Sequence, residues 1–239
     1  MERITLESNV KLSGILYKTN SNSAIIISHG FASTKDRPRL IRLSEELHDR
    51  GYTVLRYDFG GCGESDNREI NVANQIQDLQ TAISFVKDLG YQKIGLVGES
   101  LGGLTTLKTY SKDIGAIVLY APVTDAKEPS FLQDETFRKE LKEKGYIKHL
   151  KNGKLYQVSQ KYVDERLSIK PKELLNDINC PVLIIHGDND QTVSLDYSRN
   201  ALKYLPNAKL EVIVGGDHTL NDKMDEVIPL TINWFDNNL

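Results

Sequence analysis

The stretch Ile94-Gly95-Leu96-Val97-Gly98-Glu99-Ser100-Leu101-Gly102-Gly103 decides the fold. Ile94–Val97 reads as a short buried strand and Leu101–Tyr110 as a helix, with Gly98 and Gly102 flanking Ser100 between them. Glycine on both sides permits a sharp strand-to-helix turn in which a side chain would collide with neighbouring backbone. Such a turn lifts the Ser100 hydroxyl above the sheet at a helix N-terminus, where free N–H groups stabilise negative charge. A phosphate-binding loop is the competing reading of a glycine-rich strand–helix turn. It lacks the Lys-Ser/Thr ending that reading needs, and Glu99 suits a phosphate poorly.

Outward from this turn, strands and helices alternate. Towards the N-terminus come strands at Val10–Tyr17, Ala24–Ser28 and Thr53–Tyr57, with helices at Pro38–Arg50 and about Ala73–Leu89. Towards the C-terminus come strand Ala116–Tyr120, strand Val182–His186, helix Ser194–Leu205 and strand Leu210–Val214. A last helix is expected near Pro229–Asn237, with Pro229 in its first turn and the apolar residues before it in a loop. The alternation predicts an α/β fold with a mostly parallel central sheet covered by helices on both faces. Chemistry in such sheets sits at the carboxyl ends of the strands.

The segment between Pro122 and Pro181 interrupts the alternation. Asp134–Lys144 is a charged helix ended by Gly145, Tyr146–Val158 holds Asn152-Gly153 between strand-like arms, and Ser159–Leu167 suits a short helix capped by Ser159. We expect one domain over residues 1–239 with a helix–hairpin–helix cap inserted at about 123–180 and facing the substrate, since loops at strand ends carry function disproportionately.

A serine hydroxyl needs a base, and five histidines are available. His48 is expected on a solvated helix face, His149 in the cap hairpin as a plain strand residue or a substrate contact, and His29 and His186 as turn-fillers before glycines. His218, in the loop Gly215-Gly216-Asp217-His218-Thr219 after the last strand, follows the chain order serine, acid, histidine. The acid that orients it is expected at the end of Val182–His186, where Asp190 is favoured, Asp188 is the fallback and Asp217 is a neighbour tuning His218. Negative charge on an attacked carbonyl needs two backbone donors; the N–H groups of Leu101 and Phe31 are expected to supply them.

Composition narrows the setting. The 239 residues carry 30 Lys+Arg against 33 Asp+Glu, a net charge of −3, so no nucleic-acid or polyanion partner is expected and no strong field to steer an ionic substrate. No apolar run is long enough to span a bilayer, and the start Met-Glu-Arg-Ile-Thr-Leu-Glu-Ser shows no signal peptide, so no membrane association is expected. Cys62 and Cys180 are too few for a disulfide scaffold, which fits a cytoplasmic location. Neither a metal-ligand cluster nor a dinucleotide fingerprint is visible, so no cofactor is expected.

Together, His29-Gly30-Phe31, Asp58-Phe59-Gly60-Gly61-Cys62-Gly63-Glu64-Ser65, Gly98–Gly103, His186–Val193 and Gly216-Asp217-His218 resemble the α/β-hydrolase family over almost the whole chain. The family's His-Gly-x-x-Asp-x-x-Val pattern supports Asp190, and its Asp-x-x-Gly-x-Gly-x-Ser turn is structural. Within the family, chain length and insertion look most like bacterial feruloyl (cinnamoyl) esterases. That group commonly reads Gly-His-Ser-x-Gly, where this chain has Glu99. The resemblance implies a serine esterase acting on a small-molecule ester, a feruloyl ester among them. It also implies a substrate-binding role for Tyr162, whose alternative is packing against the core. Monoacylglycerol lipases and serine aminopeptidase-like hydrolases share the motifs, a non-catalytic ligand-binding homologue is the contrasting class, and a homodimer is left open.

Overall fold

A computed structural model describes residues 1–151 and 153–239. Its main sheet has eight strands: β1 (Glu2–Glu7), β2 (Lys11–Tyr17), β3 (Ser23–Ser28), β4 (Thr53–Tyr57), β5 (Lys93–Glu99), β6 (Ile114–Tyr120), β9 (Val182–Gly187) and β10 (Ala208–Ile213). They lie in the order β1-β2-β4-β3-β5-β6-β9-β10. The six from β4 to β10 are mutually parallel, and β1 and β2 add an antiparallel edge.

Parallel strands covered on both sides bury both of their faces. In β3, Ala24 and Ile26 point into one apolar layer and Ile25 and Ile27 into the other. Helices α2 (Val72–Asp88) and α3 (Leu101–Thr109) cover the first layer with Leu79, Ile83, Leu104 and Leu107. Helices α1 (Pro38–Asp49) and α8 (Met224–Asn238) cover the second with Leu40, Leu43, Val227 and Phe235. The chain therefore leaves β3 towards one face and the adjacent β5 towards the other, which opens a crevice above their carboxyl ends.

Between β6 and β9 lie α4 (Glu135–Lys144), the antiparallel pair β7 (Tyr146–Lys151) and β8 (Lys154–Ser159), α5 (Gln160–Leu167) and α6 (Pro171–Leu175). This segment is tied down. Ile70 N–H donates to the Gln157 carbonyl, and the Glu165 carboxylate accepts from Val72 and Ala73 N–H at the start of α2. The turn expected at Asn152-Gly153 falls between the paired Lys151 and Lys154; Gly153 has φ +75°, and Asn152 lies outside the described residues.

Four expectations need correction. Pro229 lies inside α8, not in its first turn. It is exposed, so water can serve the carbonyl four residues back, while Met224, Val227 and Ile228 before it are buried and hold that segment helical. Ser159 occupies the cap position of α5, yet its side chain makes no capping bond and its hydroxyl is buried. Helix α7 (Leu195–Ala201) stops early because its next turn tightens, Lys203 bonding back to Asn200 and Tyr204 to Ala201. His48 is half-buried, its ring 5.6 Å from that of Tyr17. Strand β1 and the five-residue helix α6 add to the elements that the sequence pattern predicts. No helix among the described residues is long and apolar enough to cross a membrane.

Candidate active site

Strand β5 delivers Ser100 on the expected turn. Ser100 has φ +51°, a conformation that L-residues rarely hold and that persists only where the surroundings enforce it. A Cβ on Gly98 would sit 2.6 Å from Thr106 Oγ1, and one on Gly102 would sit 2.5 Å from the His29 carbonyl oxygen. The two glycines thus let α3 start directly against β3 and β5. Gly30, after β3, comes within 3.4 Å of Ser100 Cβ when given a Cβ of its own, so the β3 loop borders the serine.

His218 Nε2 lies 3.0 Å from Ser100 Oγ, and its Nδ1 lies 2.7 Å from Asp190 Oδ2. The carboxylate accepts a hydrogen bond from Nδ1–H, which leaves the Nε2 lone pair facing the hydroxyl. Asp190 Oδ1 accepts from the N–H groups of Thr192 and Val193 at 2.7 and 2.9 Å. Burial pushes the Asp190 pKa up, and hydrogen bonds from His186 and His218 more than offset it, holding the carboxyl well below the usual range. The fallback Asp188 is exposed and accepts from Gly215 N–H, and Asp217 ties the turn after His218 by accepting from Thr219 and Leu220 N–H.

His186 has more to do than fill a turn. Its Nε2 lies 3.0 Å from the Val193 carbonyl and 3.1 Å from Asp190 Oδ2, and its Nδ1 lies 2.7 Å from Ser198 Oγ. A carbonyl only accepts, so Nε2 carries the proton and Nδ1 accepts from Ser198. His29 is the turn-filler expected: Nδ1–H donates to the Gly30 carbonyl, Nε2 accepts from Phe59 N–H, and burial lowers its pKa.

Glu99, unusual at its position, meets Arg39 of α1 in a two-pronged ion pair at 2.5 and 2.9 Å. Their side chains are 7% and 10% exposed, so the carboxylate beside the serine is neutralised locally. Phe31 lines the cavity and Leu101 is fully buried at the head of α3; neither N–H has an acceptor among the described residues. Three carboxylates, Asp36, Asp58 and Glu64, converge as metal ligands might, but Lys35 Nζ donates to all three and is their counter-ion.

A cavity of about 510 Å³ opens over Ser100 and His218. Its cap side carries Phe131, His149, Lys151, Tyr162 and Arg166. Phe31 stacks on Phe131 and Tyr162 at ring distances of 5.8 and 5.2 Å, forming an aromatic shelf. Tyr162 is 1% exposed and belongs to the apolar core, while its hydroxyl accepts from Arg166. Arg166 carried no signal in the sequence beyond its place in the insertion.

The sequence profile of the family described as Serine aminopeptidase, S33 (Hydrolase_4) matches residues 19–223. The chain belongs to this family. It is a serine-hydrolase-type α/β hydrolase, with relatives named for thioesterase and hydrolase activities. It is 25% identical over 228 residues to the human mitochondrial palmitoyl-protein thioesterase ABHD10, covering 90% of this chain and 73% of that protein. It is 26% identical over 209 residues to the human serine hydrolase BPHL, covering 80% of this chain and 70% of that protein. In fold it is similar to Est1E from Butyrivibrio proteoclasticus with ferulic acid bound, at a TM-score of 0.84 and 22% identity over 98% of both chains.

Proposed function

We propose that this protein cleaves carboxylic esters through an acyl-enzyme on Ser100, with His218 as base and Asp190 as the acid that orients it. The observation that carries this is the unbroken line from Ser100 Oγ through the two nitrogens of His218 to Asp190. His218 Nε2 takes the Ser100 proton as Oγ bonds to the carbonyl carbon. The Phe31 and Leu101 N–H groups hold the resulting oxyanion. As the tetrahedral species collapses, the C–O bond to the alcohol breaks and His218 gives the leaving oxygen its proton. Water then repeats the sequence on the acyl-enzyme and frees the acid. His186 and the two backbone donors hold Asp190 ionised throughout.

For the acyl group we propose an aromatic acid of the hydroxycinnamoyl kind. The rings of Phe31, Phe131 and Tyr162 stack at 23–24° to one another, and His149 joins them in the lining of the cavity over Ser100, an aromatic wall suited to a planar acyl group. Five cationic side chains in the same lining work against a long saturated chain. A fluorophosphonate probe should label Ser100 in the native protein and not in Ser100→Ala; absence of labelling would overturn the hydrolase reading. Rates on methyl ferulate, 4-nitrophenyl butyrate, a monoacylglycerol and an aminoacyl amide then test the acyl preference, and a faster monoacylglycerol would remove the aromatic assignment.

A further inference from the structure

The charges around the cavity do not balance. Its lining holds Arg37, Arg39, Lys127, Lys151 and Arg166 against two carboxylates, Glu99 and Glu128. Glu99 is taken by Arg39, and Glu128 is held by Arg138 from outside the lining. The other cations find only neutral partners among the described residues. Lys127 Nζ donates to the Thr192 carbonyl, Lys151 Nζ to the Phe31 carbonyl at 2.7 Å, and Arg166 Nη1 to the Tyr162 hydroxyl at 3.2 Å. Arg166 is 8% exposed, and its Nε and that of Arg37 are buried without an acceptor.

Elsewhere the chain gives the cations it buries a carboxylate, and since the Nε of Arg56 and of Arg68 are open there too, it is the missing counter-charge that sets the cavity apart. Lys35 is met by Asp36, Asp58 and Glu64, Arg56 by Asp36, and Arg68 by Asp78. A buried guanidinium without a counter-charge is costly to fold, and costly groups of this kind collect where a ligand completes them. Burial first, and then the neighbouring charge of Arg37, also lowers the Lys151 pKa. A planar guanidinium fork with an open Nε–H matches the oxygens of a carboxylate or phosphate.

We propose that this cavity selects esters bearing an anionic group, a carboxylate or phosphate close to the scissile bond, which Arg166, Arg37 and Lys151 receive. The proposal names the substrate class for the hydrolase reading above and rests on it. It also revises the expectation from net charge: a chain at −3 overall places four cations without a carboxylate partner among the described residues, Arg37, Lys127, Lys151 and Arg166, around one cavity.

Matched ester pairs test this and locate the anion. On the acyl side, mono(4-nitrophenyl) glutarate is compared with 4-nitrophenyl valerate. On the alcohol side, 3-carboxyphenyl and 3-phosphonooxyphenyl butyrate are compared with phenyl butyrate. In at least one pair the anionic member should have a kcat/KM about tenfold higher or more, and the preference should shrink with added salt. Arg37→Gln and Arg166→Met should each reduce that anionic-to-neutral ratio about tenfold. Should Arg166→Met fail to fold, Arg37→Gln and Lys151→Met, at half-buried positions, carry the test. Calorimetric titration of Ser100→Ala with phenyl phosphate and with benzamide reads the site without catalysis. Saturable, salt-sensitive binding of phenyl phosphate alone supports the proposal. Neutral esters cleaved as well as anionic ones by a protein that the fluorophosphonate labels would overturn it and leave the hydrolase reading standing. Phenyl phosphate binding by a protein that cleaves nothing would support the anion site and remove the hydrolase reading.

Discussion

On the floor of the cavity, carried by β5 and β9, the charges beside Ser100 are answered. Glu99 has Arg39, and Asp190 collects Thr192, Val193, His186 and His218. On the cap side, Lys151 and Arg166 face the same space bonded only to a carbonyl and a phenol. The floor must hold a serine, an imidazole and a carboxylate in one fixed geometry, and Asp190 alone accepts four hydrogen bonds there. The cap groups lack their counter-charges, which is the state expected of groups that a ligand completes.

The largest effect should come from the floor. Ser100→Ala should lower ester turnover by about five orders of magnitude or more, read as kcat on 4-nitrophenyl butyrate. Asp190→Asn should lower kcat by about 10⁴-fold, because the amide no longer selects the His218 tautomer. It should also show in stability. The folded pKa of Asp190 lies below its unfolded value, so its ionisation stabilises the fold above about pH 4 and the benefit fades as pH falls further. Urea midpoints for wild type and Asp190→Asn should therefore differ at neutral pH and converge in acid; a constant gap would break the account of this carboxylate.

Glu99→Gln should cost about 3–5 kcal/mol in urea unfolding, since it strands the Arg39 charge in a nearly buried site. A change no larger than that of an exposed ion pair would show the floor to be less closely balanced than its geometry indicates. The cap should respond in the opposite direction. Burial holds the Lys151 pKa below its unfolded value, so the charged form opposes folding at neutral pH, and the penalty is relieved as pH rises through the folded pKa. Lys151→Met should thus raise the thermal midpoint at pH 7, and a lowered midpoint would place Lys151 with the stabilising groups of the floor. The smallest effect belongs to Phe31→Ala. It keeps the backbone N–H and removes the shelf, so KM for an aromatic ester should rise about fivefold, as expected for about 1 kcal/mol of ring contact, with a smaller change in kcat.

Most of the floor was legible in the order of residues. Gly98 is a local requirement, since a Cβ there would meet Thr106, Gly102 and Gly103 of the helix that follows, whereas Gly102 answers to the Ser28 and His29 carbonyls that β3 brings against it. Asp190 and His218 were legible because each closes a strand of the alternating pattern, and strand ends converge in a parallel sheet. His186 was underestimated because its partners, Ser198 and Val193, lie in a loop and helix whose return path no local pattern states. Pro229 was misplaced because local propensity favours proline in a first turn, whereas burial of Val227 and Ile228 decided the helix.

The strand–turn–helix unit, the parallel sheet and the residues offered at its strand ends follow from the order of residues, since apolar periodicity and turn composition act over a few neighbours. Which charges meet is a matter of the fold alone. Arg39 reaches Glu99 across 60 positions, and Lys151 reaches the Phe31 carbonyl across 120. Whether a buried charge is answered depends on folded distances, so a chain near neutrality can still hold a cavity of unpaired cations.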